Sequence, residues 1–184
     1  MGNPDDELEQ LASHPDLGGM ASSLRAGWRD EEEGMARDAL EAWTHQRTLV
    51  DVARELMHRG DAVAFLTTGT AFAGTIVEVG RDLVIVRGAP GDVDIHLAVP
   101  PMVRVVERAK TGGTSGGSGL SFRARLAEHE MAGLDVVVGT THTGYALRGR
   151  LTLGADQIHL RGTDGAETYV PIVSIAYVAP GTDG

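Results

Sequence analysis

Histidines, arginines and one close aspartate pair are the side chains here that could hold a metal, grip a phosphate or move a proton. The seven histidines stand at 14, 45, 58, 96, 129, 142 and 159, and no two have the i, i+4 spacing that places two imidazoles on one helix face. No metal site is expected. Asp92 and Asp94 could imitate the paired carboxylates of acid–base catalysis, but beside Gly91 they read as turn and strand-edge residues. The glycine-rich run at 112–119 has the flexibility of a phosphate loop without the following Lys-Ser or Lys-Thr. Ser115 and Ser118 lie in that same run, and Ser174 lacks the Gly-x-Ser-x-Gly setting of a nucleophile elbow. There is no cysteine, so thiolate catalysis, disulfides and cysteine zinc sites are excluded. These residues predict no enzyme, no catalytic residue and no cofactor.

The elements that must carry any site are written twice. Gly69 and Gly74 recur as Gly144 and Gly149, both 75 positions on, and Arg87-Gly88 recurs as Arg161-Gly162, 74 on. Val99-Pro100 and Val170-Pro171 are a third match, 71 apart. A period of about 75 in 184 residues favours two small domains over one. In each copy a helix precedes five short strands. The first set is read at 62–67, 72–79, 83–87, 94–98 and 103–107, the second at 135–140, 145–153, 157–161, 167–170 and 175–178. Thr48 with Asp51 reads as the start of the first leading helix and Gly60 as its end, and the second leading helix is read at 121–131. Residues 111–119 contain only Thr, Gly and Ser and read as a flexible tether.

Ahead of the copies lies an acidic helical arm. Asn3-Pro4-Asp5-Asp6 looks like a helix start, His14-Pro15 and Gly18-Gly19 like interruptions, and Asp30 with Glu33 like a second start. Trp28 and Trp43 are expected at buried helix contacts. The net charge of −10 is concentrated here: residues 1–60 hold thirteen acids and six bases, whereas 61–120 hold six and five. A chain of this charge lacks the overall positive face of a nonspecific nucleic-acid binder. The acidic N-terminus does not read as a signal peptide, and no apolar run is long enough to span a bilayer, so a cytoplasmic protein with no membrane association is expected.

The leading helix, five bent strands and Gly-x-x-x-x-Gly spacing resemble the Sm and Sm-like family, which includes bacterial Hfq. The matching stretches are Gly60-Asp61-Ala62-Val63, Gly69 to Gly74 and Ile76, Val77 and Val79 in the first copy. In the second they are Val136 to Val138, Gly144 to Gly149, Leu151 and Leu153, and Tyr169-Val170-Pro171-Ile172-Val173-Ser174-Ile175 resembles the family's closing motif. The four structural glycines, Gly69, Gly74, Gly144 and Gly149, have a physical reading: the first of each pair supplies a hairpin's positive φ, the second lets a long strand bend. PRC-barrel and SH3-like folds use glycine in the same ways.

The resemblance implies self-association, with the fourth strand of one module pairing with the fifth of the next, and RNA bound on the assembly. The family's Asp and Asn contact positions are occupied by Gly80 and Ala155, and by Val84 and His159, and neither Arg-Gly nor Lys-His stands in Pro171-Ile172-Val173-Ser174. Candidate RNA-binding residues are therefore Arg87 and Arg161 for phosphates and His159 for a base. Surface arginines paired with nearby acids are the alternative.

The expected fold is mainly β with a helical N-terminal region (α+β), comprising two Sm-like or SH3-like five-stranded small barrels, each preceded by a helix. The segments are a helical arm at 1–47, a first barrel with its leading helix at 48–110, a linker at 111–119 and a second barrel with its helix at 120–184. The expected function is a non-enzymatic binding or assembly protein, RNA-associated in one version. In the alternative it is a protein–protein interaction adaptor whose N-terminal helices dock a protein partner.

Overall fold

The computed structural model describes residues 15–89, 91–110, 112–142 and 144–181, with side chains in the first helix described from 26 to 29 and from 31 onward. The Asn3-Pro4-Asp5-Asp6 signal lies outside them. The chain divides into two units at Arg47/Thr48.

On the N-terminal side of that boundary, helix α1 runs Pro15–Gln46. The expected interruption at Gly18-Gly19 does not occur, and positions 30 and 33 fall inside the helix instead of starting a new one. Each interior glycine costs about 1 kcal/mol of helix propensity, which is less than the cost of ending and restarting a helix. Trp28 and Trp43 are not buried: they are 72% and 54% exposed.

Beyond the boundary, helix α2 (Leu49–Arg59) opens on a capping box. The Thr48 hydroxyl accepts from the Asp51 N–H at 3.3 Å, and the Asp51 carboxylate accepts from the Thr48 N–H at 2.9 Å. Gly60 ends the helix at φ 75°, a left-handed conformation that favours glycine. Helix α3 (Phe122–Ala132) repeats this plan with Ser121 as N-cap and Gly133 as C-cap. The caps place α2 and α3 in register, residue for residue, 73 positions apart.

Strands β1 (Ala62–Thr67), β2 (Thr70–Val79), β3 (Leu83–Gly88), β4 (Gly91–His96) and β5 (Met102–Glu107) follow α2. Strands β6 (Asp135–Thr140), β7 (Leu147–Leu153), β8 (Gln157–Arg161), β9 (Glu167–Pro171) and β10 (Ile175–Pro180) follow α3. The first module has the order β5-β1-β2-β3-β4 and the second the same order, β10-β6-β7-β8-β9. Register repeats too: Val63 faces Gly74 as Val136 faces Gly149. The Val-Pro match does not survive, since Val99-Pro100 follows β4 whereas Val170-Pro171 ends β9.

Two separate closed barrels are not what these strands form. Strand β4 pairs with β10 through Tyr177↔Ile95 and Val178↔Asp94, and all ten strands belong to one continuous sheet. The edge that self-closure would have satisfied is satisfied by the other module. The two cores interlock at this seam. On β3, Val84 and Val86 enter the first core while Leu83 and Ile85 enter the second. On β10, Ile175 and Val178 enter the second core while Ala176, Tyr177 and Ala179 enter the first. At roughly 1.5–3 kcal/mol for each large side chain buried, these exchanged residues make the modules mutually dependent.

The linker is docked, not loose. The Gly113 N–H donates to the His58 carbonyl at 2.9 Å and the Ser118 N–H to the Val79 carbonyl at 3.3 Å. A Cβ at Gly113 would lie 2.0 Å from the Met57 carbonyl oxygen, so the chain passes α2 where only glycine fits.

Candidate interaction surface at the sheet edges

Polar side chains gather at the seam between the modules and on β8 and β9. At the seam β4 alternates, with Val93 and Ile95 entering the first core and Asp94 and His96 facing the second module. Asp94 is fully buried. Arg125 of α3 donates Nε to both its oxygens at 3.1 Å, and His129 donates Nε2 to the same carboxylate. His96 is buried, its Nδ1 donating to the Ile175 carbonyl at 2.9 Å and its ring stacked 4.1 Å from that of Phe122. Burial holds its pKa below 6.5, against the opposing pull of the Ile175 carbonyl and of Asp82. Asp82 accepts the Phe122 N–H at 2.7 Å, which ties the start of α3 to the first module.

The expectation that Asp92 and Asp94 are turn and strand-edge residues needs correction: Asp92 already lies in β4, and Asp94, read at the start of that strand, is buried between β3 and β10. The strand starts earlier than read, and the run Val93-Asp94-Ile95-His96 carries the missed signal: apolar and polar residues alternate, so the second face needed buried polar partners. Asp92 pairs with Arg87.

The candidate RNA-binding residues lie on β3 and β8. Arg87 donates Nε and Nη2 to the two oxygens of Asp92 at 2.7 and 2.8 Å. Arg161 donates Nη2 to Glu167 at 3.0 Å. This repeated Arg–carboxylate pair occupies both guanidinium groups with acids of their own module and lowers the Asp92 pKa. His159 stacks on Tyr169 at 4.7 Å between ring centroids, with Glu167 3.6 Å from its Nε2. The structure thus gathers His159, Arg161, Glu167 and Tyr169 on the outer edge of the second module and leaves Arg87 with Asp92 on the first.

Of the four structural glycines, three have a steric reason. Gly69 turns the β1–β2 hairpin at φ 78°. A Cβ at Gly74 would lie 2.1 Å from the Arg87 carbonyl oxygen, and one at Gly149 would lie 2.2 Å from that of Arg161. Gly144 is the exception: nothing lies within 4 Å of its Cβ position. The β6–β7 connection is longer than the β1–β2 hairpin and needs no positive φ there.

Among the described residues there is no cluster of three potential metal ligands and no helix long and apolar enough to cross a membrane. No family model, curated protein or solved structure matches the chain.

Beside β9 lies a cavity of about 300 Å³ lined by Thr140, Leu147, Thr168, Tyr169, Val170 and Ser174, among others. Strand β5, at the opposite end of the sheet, exposes Met102 (69%), Val106 and, less fully, Val105. Strands β5 and β9 are the two end strands of the sheet.

Proposed function

We propose that this chain is a non-enzymatic assembly protein built on a tandem pair of Sm-like modules, acting in the cytoplasm and joining copies of itself through strand edges. One observation carries the reading. The internal seam pairs the fourth strand of one module with the fifth strand of the other, and the sheet ends on the same two kinds of strand, a fifth (β5) and a fourth (β9). The strand order, shared by both modules, is consistent with the Sm resemblance noted from the sequence. Light scattering coupled to ultraviolet absorbance tests it: a mass above one 19.4 kDa chain at tens of micromolar supports assembly, and a single-chain mass rejects it.

RNA association is an extension of this reading, with Arg87 and Arg161 meeting phosphates and His159 meeting a base. It requires the two arginines to exchange Asp92 and Glu167 for phosphate. Fluorescence anisotropy with mixed RNA oligomers at low salt tests it.

A second reading, an adaptor whose PRC-like or SH3-like modules are purely structural and bind no RNA, draws on α1. Trp28, Met35, Leu40 and Trp43 are all exposed there, more apolar surface than a solvated helix needs. The full-length Trp28→Glu/Trp43→Glu variant would lose a protein partner in pull-downs if this reading holds.

A further inference from the structure

The seam inside the chain is a template for the contact between chains, because the repeat assigns each of its residues a counterpart on a free edge. Strand register makes the assignment. Val103 faces Phe65 on β1, and Val178 faces Val138 on β6, so Met102 corresponds to Tyr177 and Val103 to Val178. Likewise Arg87 faces Asp92 and Arg161 faces Glu167, so Tyr169 corresponds to Asp94 and Val170 to Ile95.

At the seam Tyr177 is the knob. It leaves its own module and enters the first core, its ring 4.5 Å from that of Phe72. It shares that core with Val93, Ile95 and Val99. Their second-module counterparts are Leu147, Thr168, Val170 and Ser174, and all four line the cavity beside β9. Four of the cavity's eight lining residues are thus counterparts of residues that share a core with Tyr177.

We infer that Met102 of one chain inserts into this cavity of a second copy, with β5 pairing to β9 in the register Met102↔Val170 and Val103↔Tyr169. The inference rests on the self-assembly reading above. Residue sizes agree with it. A Cβ at Gly139, the partner of Tyr177, would overlap the tyrosine ring at 1.9 Å, whereas the partner of Met102 is Leu66. A slender thioether beside leucine replaces a broad ring beside glycine, and methionine's rotatable chain suits an irregular cavity.

Polarity agrees as well. Inside the chain Asp94 meets Arg125, and His96 meets Phe122. Between chains the counterparts are Tyr169 against Val52 of α2 and Pro171 against Leu49. Tyr169 is 65% exposed in the single chain, and Val52 and Leu49 are half-buried. One contact is ionic and the other apolar. A wrong pairing of β4 with the β5 of another copy would bury Asp94 against Val52 without a cation, which is strongly unfavourable.

The test uses the full-length, cysteine-free chain. Met102→Glu is expected to reduce the wild-type assembly to a single 19.4 kDa chain with an unchanged circular dichroism spectrum, since Met102 is exposed in the single chain. Val103→Cys/Tyr169→Cys is expected to give intermolecular disulfide ladders on oxidation. A Met102→Glu variant that keeps the wild-type mass, or a cysteine pair that yields no crosslink, overturns this assignment while leaving self-assembly standing. A wild-type protein that is a single chain overturns both.

Discussion

Asp94 and Arg125 face each other across the seam with both carboxylate oxygens 3.1 Å from one guanidinium Nε, the acid on β4 of the first module and the base on α3 of the second. Asp94→Ala removes the acceptor of Arg125 and of His129, although Arg125 keeps Glu128 at 2.7 Å. Losing one partner of a buried pair costs about 3 kcal/mol or more. Urea unfolding should show a loss of unfolding free energy of that size, whereas Asp92→Ala, on an exposed pair, should cost about 1 kcal/mol or less.

Acid should loosen the same seam through His96. Its folded pKa lies below 6.5 because of burial, so its contribution is complete above 6.5 and is lost as pH falls toward the folded value, where the unfolded chain binds a proton that the native one does not. Asp61 and Asp92 sit below 3.8, chiefly through the Ala109 N–H and the Arg87 guanidinium respectively, so their contributions persist to lower pH. Unfolding free energies between roughly pH 8 and pH 5 should decline on acidification, and His96→Asn should flatten that decline.

Glycine substitutions separate steric need from sequence coincidence. Gly74→Ala and Gly149→Ala drive a methyl into a carbonyl oxygen and should each destabilise by about 1–3 kcal/mol. Gly144→Ala, with open space and an ordinary φ, should change the melting free energy by about 0.5 kcal/mol or less. Thermal melts of the three variants side by side would check the contrast.

Arg161→Ala should leave stability nearly unchanged, because its pair with Glu167 is solvent-exposed and such pairs contribute about 1 kcal/mol or less. Any loss of RNA binding in this variant would therefore report contact and not unfolding. Anisotropy with wild type, Arg161→Ala and Arg87→Ala is the measurement, and equal signals from all three would remove the arginines from the RNA reading.

Most of the strand plan was legible because period-two alternation and glycine punctuation are local signals, and the Thr48–Asp51 box and Gly60 marked α2 at both ends. The seam was not legible, since pairing β4 with β10 joins residues about 80 positions apart and leaves no local trace. Asp94 shows the difficulty: an aspartate read at the start of a strand looks solvent-facing until a helix of the other module supplies Arg125. Gly144 shows the reverse error, a repeated spacing without a repeated constraint. The tryptophans of α1 were misread because a helical stripe shows that one face is apolar and not what covers it.

The exchange of side chains at β3 and β10 has a consequence for biosynthesis. Of the ten described strands β10 is made last, and until it arrives Tyr177 and Ala179 are missing from the first core, and the second core that receives Leu83 and Ile85 lacks Ile175 and Val178. At about 5–20 residues per second, the nascent first module waits several seconds for its completion. A premature stop anywhere before residue 175 would therefore injure the part of the protein already made, and the ribosome-tethered chain offers a chaperone its longest opportunity there.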